Sequence, residues 1–231
     1  MSLGQNLQFL RTMNRNMTQE ELAERMKVSR QTVSKWELDT MYPEVDKILE
    51  LCDFFSCSVD ALLRENMNLC REAYSNFRME EVSAFQYVRY AVVSGEPEAD
   101  AINHVKGWAK ELQLQNPDMI GWDFPFVSQE QINVFHMHGY AAACILPSDY
   151  HNSEIQKDVV LQKTQKYAVV TIKEPFHAPF ELIPNAYKTL MSYIRMNGYR
   201  QKADNEVLPC FEKEYQKEGV CFMDVYIAVE G

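Results

Sequence analysis

Residues 18–37, TQEELAERMKVSRQTVSKWE, constrain this chain more than any other stretch, because they spell two short helices joined by a tight turn. Thr18 stands three residues before Glu21 and ahead of an apolar Leu22, Ala23, Met26 stripe. In that pattern a hydroxyl and a carboxylate reciprocally satisfy the orphan amides of a helix start. Ser29 offers a second N-cap. From it Val33 and Trp36 fall one turn apart and face inward, while Arg30, Gln31, Ser34 and Lys35 form an outward polar stripe.

Such a stripe has the chemistry to read a duplex. Arg can donate two parallel hydrogen bonds to guanine, Gln can pair both ways with adenine, and Ser or Lys can reach base edges or phosphates. A solvated helix face has the same spacing, so spacing leaves both readings open. The run LAERMKVSRQTVSKWE, with Leu10-Arg11 upstream, Thr18-Gln19 opening the first helix and Tyr42-Pro43 downstream, resembles the lambda-repressor/Cro type helix-turn-helix of the XRE family over residues 3–65. The resemblance implies a DNA-binding set of Gln19, Ser29, Arg30, Gln31, Thr32, Ser34 and Lys35. Gln19 then meets phosphate or base, and Arg30, Gln31, Ser34 and Lys35 enter the major groove. A double-stranded operator and a homodimer on paired half-sites follow as expected partners. Two positions depart from the family: Lys27 stands in the turn where Gly is frequent, and Leu38-Asp39 where Asn-Gly is common. Both bear on turn shape, since a left-handed Lys carries a strain that Gly does not.

A net charge of −10 on 231 residues argues against a protein that coats nucleic acid nonspecifically. The distribution says more. Residues 1–35 hold six cations against three acids, and residues 36–65 hold two cations against eight acids. A basic edge on an acidic body suits a reader that touches few phosphates and relies on base contacts. The six cysteines show no C-x-x-C spacing, no apolar run reaches membrane-spanning length, and no leader-like start is present. A reducing cytoplasm, no disulfide framework and no membrane are therefore expected. Without a P-loop, nucleophile elbow, H-E-x-x-H or dinucleotide fingerprint, no cofactor is expected.

In chain order, Leu3, Leu7 and Leu10 predict a first helix, and Pro43 falls where a fourth helix should start. Val45, Ile48, Leu49 and Cys52, then Val59, Leu62 and Leu63, are expected to face inward on the fourth and fifth helices. That gives an all-α five-helix domain at 1–66. Residues 64–80 are polar and lack Pro and Gly, which predicts a helical connector at 67–79 before a second domain at 80–231. There, β-rich runs at 82–93 and 167–172 are each followed by a helix pattern, one marked by Val105, Trp108, Ala109 and Leu112, the other by Ala186, Tyr187, Leu190 and Ile194. Offset by 85 residues the halves align weakly: Ile102 on Tyr187, Val105 on Leu190, Trp108 on Tyr193 and Phe126 on Phe211.

The segments ELIPNAYKTLMSYIRMNGY (181–199), LPCFEKEY and CFMDVYIAVEG resemble the gyrase-inhibitor-like (GyrI-like) effector-binding domain, also found behind AraC-type DNA-binding domains. The resemblance implies an α+β domain of two strand-helix-strand-strand modules about a pseudo-twofold axis, with a pocket for a cationic, aromatic or lipophilic effector between them. By motif the central carboxylate is Glu212, with Glu214 as fallback, and the aromatic candidates are Trp108, Trp122, Phe126, Tyr140, Tyr187 and Tyr226. On a strand Glu212 points to the same side as Cys210 and Glu214. Buried there, it would be costly to ionise without a partner charge, which a cationic ligand supplies. The plainer alternative is a solvated edge glutamate. Two other functions stay open: a hydrolase of small electrophiles using Glu212 and Tyr187, and an antitoxin-like protein that binds another protein. His136 and His138 would share a strand face, but no carboxylate or thiol supports them as a metal site. They are expected to line the pocket or the core.

Overall fold

A computed structural model describes residues 2–14, 16–64, 67, 73–114, 116–123, 127–148, 159–202 and 206–231. By contact density the chain divides into two units, one of Met1–Arg78, Ala168–Gln201 and Val229–Gly231, the other of Met79–Tyr167 and Lys202–Ala228. No helix among the described residues is long and apolar enough to cross a membrane.

The first unit opens with five helices: α1 (Leu3–Met13), α2 (Gln19–Met26), α3 (Arg30–Glu37), α4 (Val45–Phe55) and α5 (Val59–Arg64). The expected caps form. Thr18 and Glu21 make a capping box in which the Glu21 amide donates to Thr18 Oγ1 (3.2 Å) and the Thr18 amide to Glu21 Oε2 (2.6 Å). Ser29 Oγ accepts from the Thr32 amide at 3.1 Å. Lys27 takes the left-handed conformation, φ 54°, that the turn requires, and Asp39 does the same after α3 at φ 55°. Leu7, Leu10, Leu22, Val33, Trp36 and Phe55 form the centre of the helical core.

On the fourth and fifth helices Cys52 and Leu62 are buried and Ile48 packs on the core as expected, but the inward faces are rotated. Val45 (71% exposed), Leu49, Val59 and Leu63 face outward, and Leu51, Cys52, Phe55 and Leu62 are the buried set. So many positions of α4 are apolar that period alone cannot choose a face; contact with the other helices selects Leu51 and Phe55. Pro43 sits one residue before the N-cap, Glu44, and not in the first turn of α4.

The connector also differs. Residues 68–72 lie outside the described set, but strand β1 (Tyr74–Val82) already occupies 74–79, where a helix was expected. Its partner supplies the reason: the Lys173 amide donates to the Ala73 carbonyl, so a strand nearly a hundred residues away fixes this conformation. The first unit also holds most of β6 (Gln165–Lys173), a 3-10 turn (Pro175–His177), α8 (Pro179–Met196) and β7 (Arg200–Gln201), which pairs with the end of β9 (Val220–Glu230).

The second unit carries β2 (Phe85–Ser94), α6 (Pro97–Glu111), β3 (Asp118–Asp123), α7 (Gln129–Asn133), β4 (His138–Ile145), β5 (Val159–Gln162) and β8 (Cys210–Lys217). Its antiparallel sheet runs β9-β8-β3-β4-β2-β5. In chain order β2-α6-β3-β4 and β6-α8-β8-β9 repeat the predicted strand-helix-strand-strand plan, with β1, β5 and β7 added. Thus an all-α helix-turn-helix region is followed by an α+β sheet structure. Helix α6 lies on β2 and β4, where Ala142 and Cys144 are small enough to admit Ala101, Val105 and Ala109.

Candidate functional site: a recognition helix and an acidic pocket

Helix α3 exposes Arg30, Gln31 and Lys35, and Thr32 and Ser34 partly, while Val33 and Trp36 anchor its other side. The Ser29 and Thr32 hydroxyls are engaged with each other at 2.8 Å as part of the cap. Gln19, expected at the DNA, donates its amide instead to Glu37 Oε2 (2.8 Å). Arg11 meets the same carboxylate through Nε (2.6 Å) and a second guanidinium nitrogen (3.1 Å). One buried Glu37 therefore ties the ends of α1, α2 and α3 together, a bidentate arrangement that fixes direction as well as distance. Gly4 completes the fit. A Cβ there would lie 2.5 Å from the Trp36 and Glu37 carbonyl oxygens, so α1 reaches α3 only because residue 4 has no side chain. Trp36 Nε1 is buried and meets no acceptor among the described residues.

The second unit holds a cavity of about 240 Å³ between α6 and the sheet. Gly121 of β3 stands opposite Glu212 of β8 and also opposite Ala142 of β4. All three point to the α6 side. Glu212 is 8% exposed, and the Tyr140 hydroxyl donates to its Oε2 at 3.3 Å. A Cβ on Gly121 would collide with the Tyr140 phenol, so the bare backbone of β3 lets that ring reach across to Glu212. Glu214, Ile102 and Lys106 complete the part of the wall that matters chemically.

The electrostatics are acidic. Burial first, then the charges of Glu212, Glu98 and Glu214, push the Tyr140 phenol far above its ordinary value. Loss of hydration raises the Glu214 carboxyl, Glu98 raises it further, and Lys106 opposes both. Glu98 is raised by burial and by Asp123, and Asp123 by burial, with His138 opposing. Each of these carboxylates would ionise more readily beside an added positive charge.

Residues 7–62 match the family model described as helix-turn-helix. This region is an XRE-type helix-turn-helix domain. Over 63 residues the chain is 44% identical to the HTH-type transcriptional activator BcrR of Enterococcus faecalis, covering 27% of this chain and 30% of that protein. The chain thus spans less than a third of the curated relative it matches. Two solved structures resemble more of it. SAV2435 bound to tetraphenylphosphonium has 15% identity, covers 68% of this chain and 95% of its own, and gives a TM-score of 0.41. EcmrR in a complex with DNA has 12% identity, covers 90% of this chain and 97% of its own, and gives a TM-score of 0.44. Likeness at that level says nothing of what this chain binds.

In the helix-turn-helix domain the outward stripe matches expectation, and Gln19 is the residue whose amide is turned to another task. In the pocket, Glu212, Glu214 and Tyr140 come together. Trp108, Trp122 and Tyr226 are not part of that wall. Trp122 neighbours Gly121 and so projects from the opposite sheet face, edge-on to Tyr87 at 6.2 Å. Tyr226 pairs with Phe211, the neighbour of Glu212 in β8, and so likewise projects from that opposite face, stacked on Phe211 at 4.3 Å. Trp108 packs on His104 and Tyr90. Tyr187 belongs to α8 in the first unit, and Phe126 lies outside the described residues. His136 sits in a left-handed turn (φ 52°) before β4 begins at His138, so the two imidazoles do not share a strand face. Lys106, Glu98 and Gly121 were not singled out from sequence; the lone Gly inside the apolar run Met119–Trp122 was the available signal.

Proposed function

We propose that this protein is a cytoplasmic, dimeric, sequence-specific transcriptional regulator whose DNA affinity is set by a small cationic effector. Residues 1–66 form the operator-binding domain, 67–79 the connector and 80–231 a GyrI-like effector domain. The observation that carries the reading is the capped helix α3, which exposes Arg30, Gln31 and Lys35 while Glu37 fixes its direction. Arg30 and Gln31 read base edges, Lys35 and the Ser29–Thr32 cap meet phosphate, and Gln19 holds the scanning helix in register. In the pocket, Glu212 receives the effector's charge and Tyr140 packs beside it. Differential affinity of the effector for two dimer geometries then shifts operator occupancy. The Tyr140 hydroxyl, held as a donor to Glu212, supports a binding role for this pocket.

Replacing Arg30 and Gln31 together by Ala should reduce specific operator binding by about 100-fold or more in a footprinting titration, since each bidentate base contact contributes about 1–3 kcal/mol of discrimination. Unchanged binding with intact helicity would overturn the assignment of α3.

A further inference from the structure

Helix α1 is buried on two faces. Leu7 and Leu10 enter the core of the helix-turn-helix domain, whereas Phe9 and Met13, one turn apart, are also buried but stand outside that core. On this second face, within the first unit, lies a cavity of about 380 Å³ bordered by α1 on one side and by Phe77 of β1 and Tyr193 of α8 on the other. The Phe77 and Tyr193 rings are 5.7 Å apart and tilted by 41°.

The lining sets the ligand chemistry. No described residue of this wall is charged, in contrast to the pocket of Glu212, Glu214 and Lys106. Two of its hydroxyls are already used: Thr12 donates to the carbonyls of Gln8 and Phe9, and Tyr74 donates to the Leu182 carbonyl. Asn16 and Asn76 stand at the exposed rim, each at a left-handed bend (φ 56°), and bring carboxamides that both donate and accept. A charged ligand would lose its hydration here with no partner charge in return. An aromatic ring gains contact with Phe9, Met13 and the tilted pair.

The geometry points to a second small-molecule site in this groove, for an uncharged bicyclic or tricyclic aromatic compound with a hydrogen-bonding group at its edge. The volume falls in the range of drug-sized pockets. The site also bears on DNA reading. Gly4 packs α1 against the α3 carbonyls, the Gly4 amide donates to Asp39 Oδ1 at 2.9 Å, and Arg11 holds Glu37. A ligand on the far face of α1 thus contacts the element against which the recognition helix is packed, and any effect it has on operator affinity would be returned reciprocally by the operator.

The test is titration of the full chain with N-phenyl-1-naphthylamine, a neutral aromatic amine that fluoresces in apolar surroundings. Saturable binding is expected. Thr12→Trp, which fills the groove, should weaken it by about tenfold or more, and Glu212→Gln should leave it unchanged. If Thr12→Trp loses helical circular dichroism, Asn16→Asp decides: it keeps a residue tolerant of the left-handed bend and sets a carboxylate at the rim, weakening the probe by about threefold or more. Binding that never saturates, that disappears in Glu212→Gln, or that survives the groove variants unchanged would overturn the proposal.

Discussion

The recognition helix and the acidic pocket are built on opposite plans. The helix-turn-helix domain draws its site from one continuous run of twenty residues, held by caps that act over three positions and by remote links, above all those of Arg11 and Gln19 to Glu37. The pocket draws its chemistry from β3, β4, β8 and α6, and its key contact joins residues 72 positions apart. A site made locally can be strong in sequence and still depend on one buried residue, Glu37, for its orientation. A site made by strand pairing depends on register, since a slip of one residue would turn Glu212 to the other face.

The largest effect that would sharpen this contrast is at the tie. Glu37→Ala leaves Arg11 buried, with side chains only 3% and 11% exposed in the pair, and should destabilise the helix-turn-helix domain by about 3–5 kcal/mol in urea unfolding. A change under about 1 kcal/mol would show that the domain needs no such link. Next is Gly121→Ala, which forces the Tyr140 ring away from Glu212. It should cost about 1–3 kcal/mol in the second unit by overpacking and weaken a lipophilic cation by several-fold in calorimetry, with DNA binding of the unliganded protein unchanged.

The smallest effect is in pH, and its sign differs between the regions. The Thr18 amide and hydroxyl hold the Glu21 carboxyl below its ordinary value, so the cap stabilises above the unfolded value near 4.5 and fades as pH falls through the folded one. Glu98, Asp123 and Glu214 are raised, so their contribution is fully present below their unfolded values and is lost as pH rises through the folded ones. Between pH 4 and 7 the Glu98→Gln variant should therefore show a flatter decline in stability than the parent, while cation affinity in the parent climbs with pH. Parallel slopes in parent and variant would break the comparison.

Legibility followed the same division. The Thr18–Glu21 box, the Ser29 cap, the left-handed Lys27 and the inward Val33 and Trp36 could be read directly, because each is decided within one helical turn. The hydrogen bond of Gln19 to Glu37 could not be read, because the two lie 18 positions apart. On α4 the surplus of apolar residues hid the rotation that exposes Val45 and Leu49. In the pocket, motif resemblance placed Glu212 and Glu214, and only strand register separated Tyr140 from Trp122 and Tyr226, which fall on the opposite face.

The amino-acid order by itself determined two capped helices, the stripe of Arg30, Gln31, Ser34 and Lys35, and the alternation of strands and helices beyond residue 80, since these follow from short-range hydrogen bonds and hydrophobic period. Tertiary structure alone decided that Glu37 gathers Arg11 and Gln19, that Gly121 clears the path from Tyr140 to Glu212, and that β1 begins where a helix was expected. Each of these depends on a partner distant in the chain. The free energy that selects them comes from groups that meet only once the sheet and the helical core have formed.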